Sequence, residues 1–210
     1  MATDRSDAPV SRVQRRKAQT RQALLDAART LLADGNASTA SIAEITSAAD
    51  VGFGSFYNHF DDKPALFAAA VEQVLEQWGD LMDTFGDESG DPAQTFVTSF
   101  RMSARVAFMH RQEAEIIARS GFGLLDSATG LGPRALRDLT AAVDAGRLTI
   151  PNIELATAVT GGNLLALIHL WLKDETSVAE ADIDYCAEQL LIGFGADAET
   201  AKRLAYLDLS

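Results

Sequence analysis

Residues 41–60, SIAEITSAADVGFGSFYNHF, admit few folds. Ser41 and Glu44 have the S-x-x-E spacing of a capping box, in which a hydroxyl and a carboxylate satisfy amides that a new helix would leave unpaired. Ile42, Ile45, Ala48 and Ala49 then recur at helical spacing, before Asp50, Gly52 and Gly54 interrupt the pattern and Phe56 and Phe60 resume it at i,i+4. The pattern predicts two short helices joined by a tight turn, the second over about 53–60. That second helix would turn Phe56 and Phe60 inward and present Ser55, Tyr57, Asn58 and His59, which are side chains suited to phosphates and base edges. A plain helical hairpin has the same caps and inward phenylalanines, so the neighbouring segments decide between the two.

Charge and length narrow the choice. The net charge is −12, which argues against nucleic acid until its distribution is considered. Residues 1–63 hold eight basic and eight acidic side chains, so the ten basic and 22 acidic residues that follow carry the whole excess. Arg12, Arg15, Arg16, Lys17, Arg21 and Arg29 face only Asp26 in their own stretch, a basic patch leading into the two short helices. The 210 residues, 47% hydrophobic with five prolines, suit a folded, mainly helical chain of one large or two small domains. The most apolar stretch, 164–172, is too short to span a bilayer and the polar amino terminus lacks a signal-peptide core, so the expectation is a cytoplasmic protein with no membrane partner. Cys186 is the single cysteine and has no internal disulfide partner.

Upstream of the capped stretch lies TRQALLDAARTLLADG at 20–35, and DDKPALF at 61–67 follows it. Residues 18–70 together resemble the amino-terminal domain of the TetR (tetracycline-repressor-like) family, whose pattern is T-R-x-x-I-L-x-A-A-x-x-L-F-x-x-x-G, then I-A-x-x-A-G-V-S-x-G-T-L-Y-x-H-F-x-x-K. The resemblance implies an all-α protein, with a three-helix helix-turn-helix DNA-binding domain followed by a helical ligand-binding and dimerisation domain. The expected division is a disordered tail over 1–14, the DNA-binding domain over 15–62 and the regulatory body over 63–210. Position by position, it places Phe53, Gly54 and Ser55 at base edges. Tyr57, Asn58, His59 and Lys63 fall on phosphates, with Thr39 and Ser41 near a phosphate at the start of the supporting helix. Two departures matter: Ala43 replaces a common base-reading arginine, and Gly52 replaces the usual serine or threonine cap. With no Arg or Lys between Asp50 and Asp62, bidentate guanine contacts from this helix are excluded, and Phe53 suggests contact with thymine methyls.

Beyond the DNA-binding region the pattern predicts helices over 62–85, 92–110, 112–120, 133–145, 153–173, 178–193 and 198–207, with 121–125 as a mobile link. Family resemblance suggests an effector pocket bounded by Trp78, Met82, Phe85, Phe100, Phe122, Leu125, Asn163 and His169, although His169 alone reads as a core histidine. Gly161 and Gly162, with Leu165, Ile168, Leu172, Ile183, Leu190, Leu191 and Phe194, suggest a four-helix dimer interface. Catalytic motifs are missing from the sequence, and His110 with Glu113 makes at most two metal ligands, so no catalytic residue, metal or cofactor is expected. The resulting expectation is a homodimeric repressor of a double-stranded DNA operator, released by a small, largely apolar effector. An architectural DNA-binding protein without an effector, and a helical enzyme or carrier that has lost DNA binding, are the competing readings.

Overall fold

A computed structural model describes residues 11–85 and 90–209, with backbone alone over 124–126. The chain divides into two compact units, Met1–Ala70 and Val71–Ser210. Among the described residues every regular element is a helix.

The first unit is built from α1 (Arg12–Ala33), α2 (Ile42–Ala48), α3 (Phe53–Phe56) and the start of α4 (Lys63–Thr84). Helix α1 begins three residues before the expected start, because Ser11 and Gln14 form a reciprocal capping box. Residues 12–14 are therefore helical rather than tail, with Ser11 as their cap, and residues 1–10 lie outside the described ones. The predicted Ser41–Glu44 box is present, with the Ser41 amide 2.8 Å from Glu44 Oε2 and the Glu44 amide 3.2 Å from Ser41 Oγ. Leu24, Leu25, Ala28, Ile45, Phe56, Phe60 and Leu66 form the core of this unit.

The left-handed turn residue is Asp50 (φ 52°), whereas Gly52, at φ −66°, serves as the residue before α3. Asp50 stands where the family pattern has its A-G-V glycine. A left-handed aspartate is tolerated at a cost of roughly 1 kcal/mol relative to glycine. Helix α3 also ends at Phe56 instead of Phe60. Residues 57–59 turn, with the amides of His59 and Phe60 both donating to the Phe56 carbonyl at 2.9 and 3.0 Å.

The second unit continues α4 and adds α5 (Pro92–Met109), α6 (Arg111–Ser120), a 3-10 helix (Gly121–Asp126), α7 (Leu131–Asp144), α8 (Ile153–Lys173), α9 (Glu180–Gly193) and α10 (Ala198–Ala205). The predicted mobile link is thus a short helix. Asp91, Asn152 and Asp197 cap α5, α8 and α10 by accepting amide protons of the following turn. Helix α5 packs on α7, α8 and α9, which makes it the spine of this unit. By length and composition α8 is long and apolar enough to cross a membrane, contrary to the expectation from its shorter apolar core; here it packs against α5, α6, α7 and α9.

Candidate functional site

The short turn and α3 present a small aromatic surface. Phe53 and Tyr57 are 56% and 54% exposed, although large apolar rings are normally withdrawn from water. Their rings meet edge to face at 6.0 Å, and Phe56 buttresses Tyr57 from below at 5.3 Å. Gly54 and Asn58 are exposed, while Ser55 and His59 are half-buried. The Tyr57 ring is therefore fixed on its inner side, with much of its surface open to a partner.

Helix α1 carries cations, of which Lys17 and Arg21 are near this surface. Arg12, Arg15, Arg16 and Lys17 are exposed, and Arg21 lies over the Phe60 ring at 5.2 Å. Burial lowers the His59 pKa from its ordinary value, and repulsion by Lys17 and Arg21 lowers it further. Lys63 is anchored: its ammonium donates to the carbonyls of Ala40 (2.7 Å) and Ser38 (3.1 Å), tying α4 to the loop before α2. The donors of Ser41 are spent inside its capping box, and the Thr39 hydroxyl donates to the Asn36 carbonyl at 3.1 Å. Contact of either hydroxyl with a phosphate would require these local bonds to open.

A second feature lies wholly within Val71–Ser210: a cavity of about 80 Å³ walled by α4, α5, α6, α7 and α8. Its apolar walls are Leu75, Met82, Phe96, Phe100, Ile117, Leu131, Leu164 and Leu165. Its polar wall is Asp83 with Arg134, Arg137 and Asp138. Asp138 is buried, and its Oδ1 accepts from Arg137 Nε at 2.9 Å. Burial raises the Asp138 pKa, an effect opposed by Arg137 and reinforced by the charge of Asp83. Ser103 and Thr160 donate their hydroxyl protons to carbonyls of their own helices, at 2.7 and 2.9 Å. Their oxygens can then act as acceptors.

Only part of the expected pocket lies here. Met82 and Phe100 line the cavity, as do Gly161 and Leu165 from the expected dimer face. Trp78 is buried with its indole nitrogen unpaired, but it lies outside the lining, as does half-buried Phe85. Phe122 is exposed and lies beside Gly162, and the Leu125 side chain lies outside the described residues. Asn163 donates to the Val159 carbonyl and accepts the Cys186 thiol at 3.2 Å. His169 is exposed, which corrects its reading as a core histidine.

The expected dimer face needs a similar correction. Ile168, Ile183, Leu190, Leu191 and Phe194 are buried within the protomer, where a second chain cannot reach them, and Leu172 is half-buried. The exposed apolar side chains on α8 and α9 are instead Leu155, Val159, Leu170, Tyr185 and Ile192. The charged cavity wall went unread in the sequence, although a signal was there: Leu131, Ala135, Asp138, Leu139 and Ala142 share one helical stripe, and a carboxylate within it is anomalous.

Comparison with known proteins identifies the family. Residues 24–70 match the model of the tetR family of bacterial regulatory proteins, and residues 91–206 match a tetracyclin repressor-like C-terminal domain. The chain belongs to the TetR family. Among solved structures, the TetR-family chain resembles RolR in complex with resorcinol, at 34% identity over 93% of this chain and 97% of that one (TM-score 0.73), and ligand-free RolR at 33% identity (TM-score 0.74). The fold is shared with the fatty acid degradation regulator FadR of Bacillus halodurans, at 16% identity over 85% and 97% of the two chains (TM-score 0.68). SmeT, the repressor of a multidrug efflux pump of Stenotrophomonas maltophilia, shares it at 21% identity over 84% and 92% (TM-score 0.64). No curated protein matches the chain. TetR-family members are DNA-binding transcription regulators that act as dimers and take small-molecule ligands. This chain is therefore a TetR-family transcriptional regulator.

Proposed function

We propose that this regulator is a repressor that binds a palindromic operator as a homodimer and is released by a small hydroxylated aromatic molecule. The observation that carries the effector part is the lining of the cavity, where buried Asp138 with Arg134 and Arg137 opposes a wall containing Phe96 and Phe100. An apolar wall receives a ring, and a carboxylate receives a hydroxyl proton. RolR, whose structure holds resorcinol, is 34% identical to this chain. A cavity of about 80 Å³ is smaller than the ~150 Å³ that holds benzene in an engineered apolar cavity. A ring must therefore displace a wall as it enters, and α4 and α7 both contribute walls. The effector favours the arrangement in which the reading heads are misplaced for DNA, and release follows as a population shift.

Phe53, Gly54 and Ser55 meet base edges in this reading, Tyr57, Asn58 and His59 meet phosphates, and the α1 cations add backbone contacts. Leu155, Val159 and Leu170 on α8, with Tyr185 and Ile192 on α9, support a four-helix interface with a second copy. Twofold-related heads would then read half-sites ~34 Å apart. Such a regulator works in the cytoplasm, beside the chromosome. The cavity favours this reading over an architectural DNA binder, and the exposed aromatic pair favours it over an enzyme or carrier that has left DNA. Calorimetry with resorcinol and benzene tests the effector class: resorcinol is expected to bind far more tightly, and equal affinity for the two would remove the polar wall from recognition.

Two outcomes concern the head. Lys63→Ala should lower the melting temperature, since two carbonyls lose a donor at about 1 kcal/mol net, and should reduce the salt slope of operator binding by about one phosphate. A lower melting temperature with an unchanged slope would assign Lys63 to the loop alone. In the DNA-free protein burial, with repulsion by Lys17 and Arg21, lowers the His59 pKa from its ordinary value, and a phosphate beside it would raise it again. Between the two values binding takes up a proton, so operator affinity should rise as pH falls through that window, by up to about tenfold per unit. His59→Gln should flatten the profile; a profile that keeps its slope in the variant would contradict the assignment.

A further inference from the structure

Helix α4 contains a glycine, Gly79, in its interior, where glycine is among the least favoured residues. Arg134 of α7 compensates for it. A Cβ at this position would fall 2.6 Å from Cζ and 2.9 Å from Nε of Arg134, and closer still to Nη1. The guanidinium thus rests on bare helix backbone. There it is held by three carboxylates of the same α4 face: Asp83 at 2.6 Å, Asp80 at 2.8 Å and Glu76 at 3.4 Å. A fourth acceptor is the Gly130 carbonyl at 3.1 Å, and the Gly130 amide donates to Glu76 at 2.9 Å. Glu76, Asp80 and Asp83 follow helical spacing around Gly79, so one face of α4 is a cradle for Arg134, with Arg137 sharing Asp83 at 3.2 Å.

Arg134 and Asp83 also line the effector cavity. We propose that Gly79 is a positioning residue for effector response: its missing side chain lets Arg134 fasten the cavity's α7 wall to α4, so that entry of an effector strains the clamp and bears on α4. This rests on the effector reading above. Helix α4 begins at Lys63, inside the first compact unit, and is one continuous helix to Thr84. The Arg134 side chain is 17% exposed while Asp83, Glu76 and Asp80 are 40%, 44% and 67% exposed, so the solvent-facing pairs are screened individually and the clamp rests on their number and on the close seat over Gly79. The pKa directions agree: hydrogen bonds from Arg134 help lower those of Glu76 and Asp83.

The test is a double-mutant cycle on the full chain, with melting temperature and operator release as readouts. Alanine normally stabilises a helix interior relative to glycine. The clamp predicts the reverse: Gly79→Ala lowers the melting temperature in the wild-type background and raises it in the Arg134→Ala background. A rise in both backgrounds would overturn the clamp. For function, Gly79→Ala should shift the resorcinol concentration that half-dissolves the operator complex by about tenfold or more, while operator affinity without resorcinol stays within about twofold. An unshifted half-release concentration would reduce the clamp to a purely structural device and overturn the proposal. Should the wild-type complex ignore resorcinol altogether, the effector reading fails, and the melting cycle still decides whether the clamp exists.

Discussion

Phe56→Ala is expected to abolish operator binding while leaving the second unit able to take up resorcinol. Phe56 is fully buried, packs edge-on against Tyr57 at 5.3 Å and lies 6.1 Å from Phe60, so it supports both the core of the head and the outward tyrosine. Removing a buried phenylalanine costs ~3–5 kcal/mol. A unit as small as Met1–Ala70 has a stability of about the same size. The head should therefore unfold at temperatures where the rest stays folded. Differential scanning calorimetry would show an early separate transition, and operator affinity would drop by more than about 100-fold. A variant that melts like the wild type and still binds DNA would contradict the packing described for α3.

Asp138→Asn is expected to make the regulator deaf to resorcinol. The carboxylate is the one acidic group of the cavity that is itself buried, and a hydrogen bond to a charged partner contributes ~1.5–3 kcal/mol. Resorcinol affinity should therefore fall by about 10- to 100-fold in calorimetry, with operator binding unchanged. Stability carries a second signature. Burial raises the Asp138 pKa in the folded protein, so its contribution is most favourable below the unfolded pKa and is lost as pH rises through the folded value. Asparagine removes this cost of a buried charge and can keep an acceptor oxygen for Arg137. The melting temperature of the variant relative to wild type should accordingly be higher at pH 7 than at pH 4; a difference independent of pH would mean that Asp138 carries no such penalty.

The helical class and the order of elements were legible because caps and apolar periodicity agreed along most of the chain. The misreadings have physical causes. Phe56 and Phe60 are both buried at i,i+4, yet a tight turn after Phe56 buries them as well as another helical turn would, and periodicity cannot separate the two. Ser11 and Gln14 form a cap as good as the one at Ser41, but no apolar stripe marks a helix start there. Helix α8 is apolar on several sides, so pattern alone could not tell the face buried at Ile168 from the face exposed at Leu155, Val159 and Leu170. In the cavity, aromatic residues drew the sequence reading, while the buried charge is Asp138, an acid hidden in an apolar stripe and betrayed only by its register.

Whether this chain grips duplex DNA through Phe53 to His59 and gives it up to a small hydroxylated ring can be decided by one titration. Fluorescence anisotropy would follow the protein with the region upstream of its own gene and with a scrambled duplex of the same composition, before and after addition of resorcinol. A salt-sensitive complex selective for the upstream duplex should form and should dissociate when resorcinol is added. Equal affinity for the scrambled duplex, or a selective complex that resorcinol leaves intact, would contradict this reading.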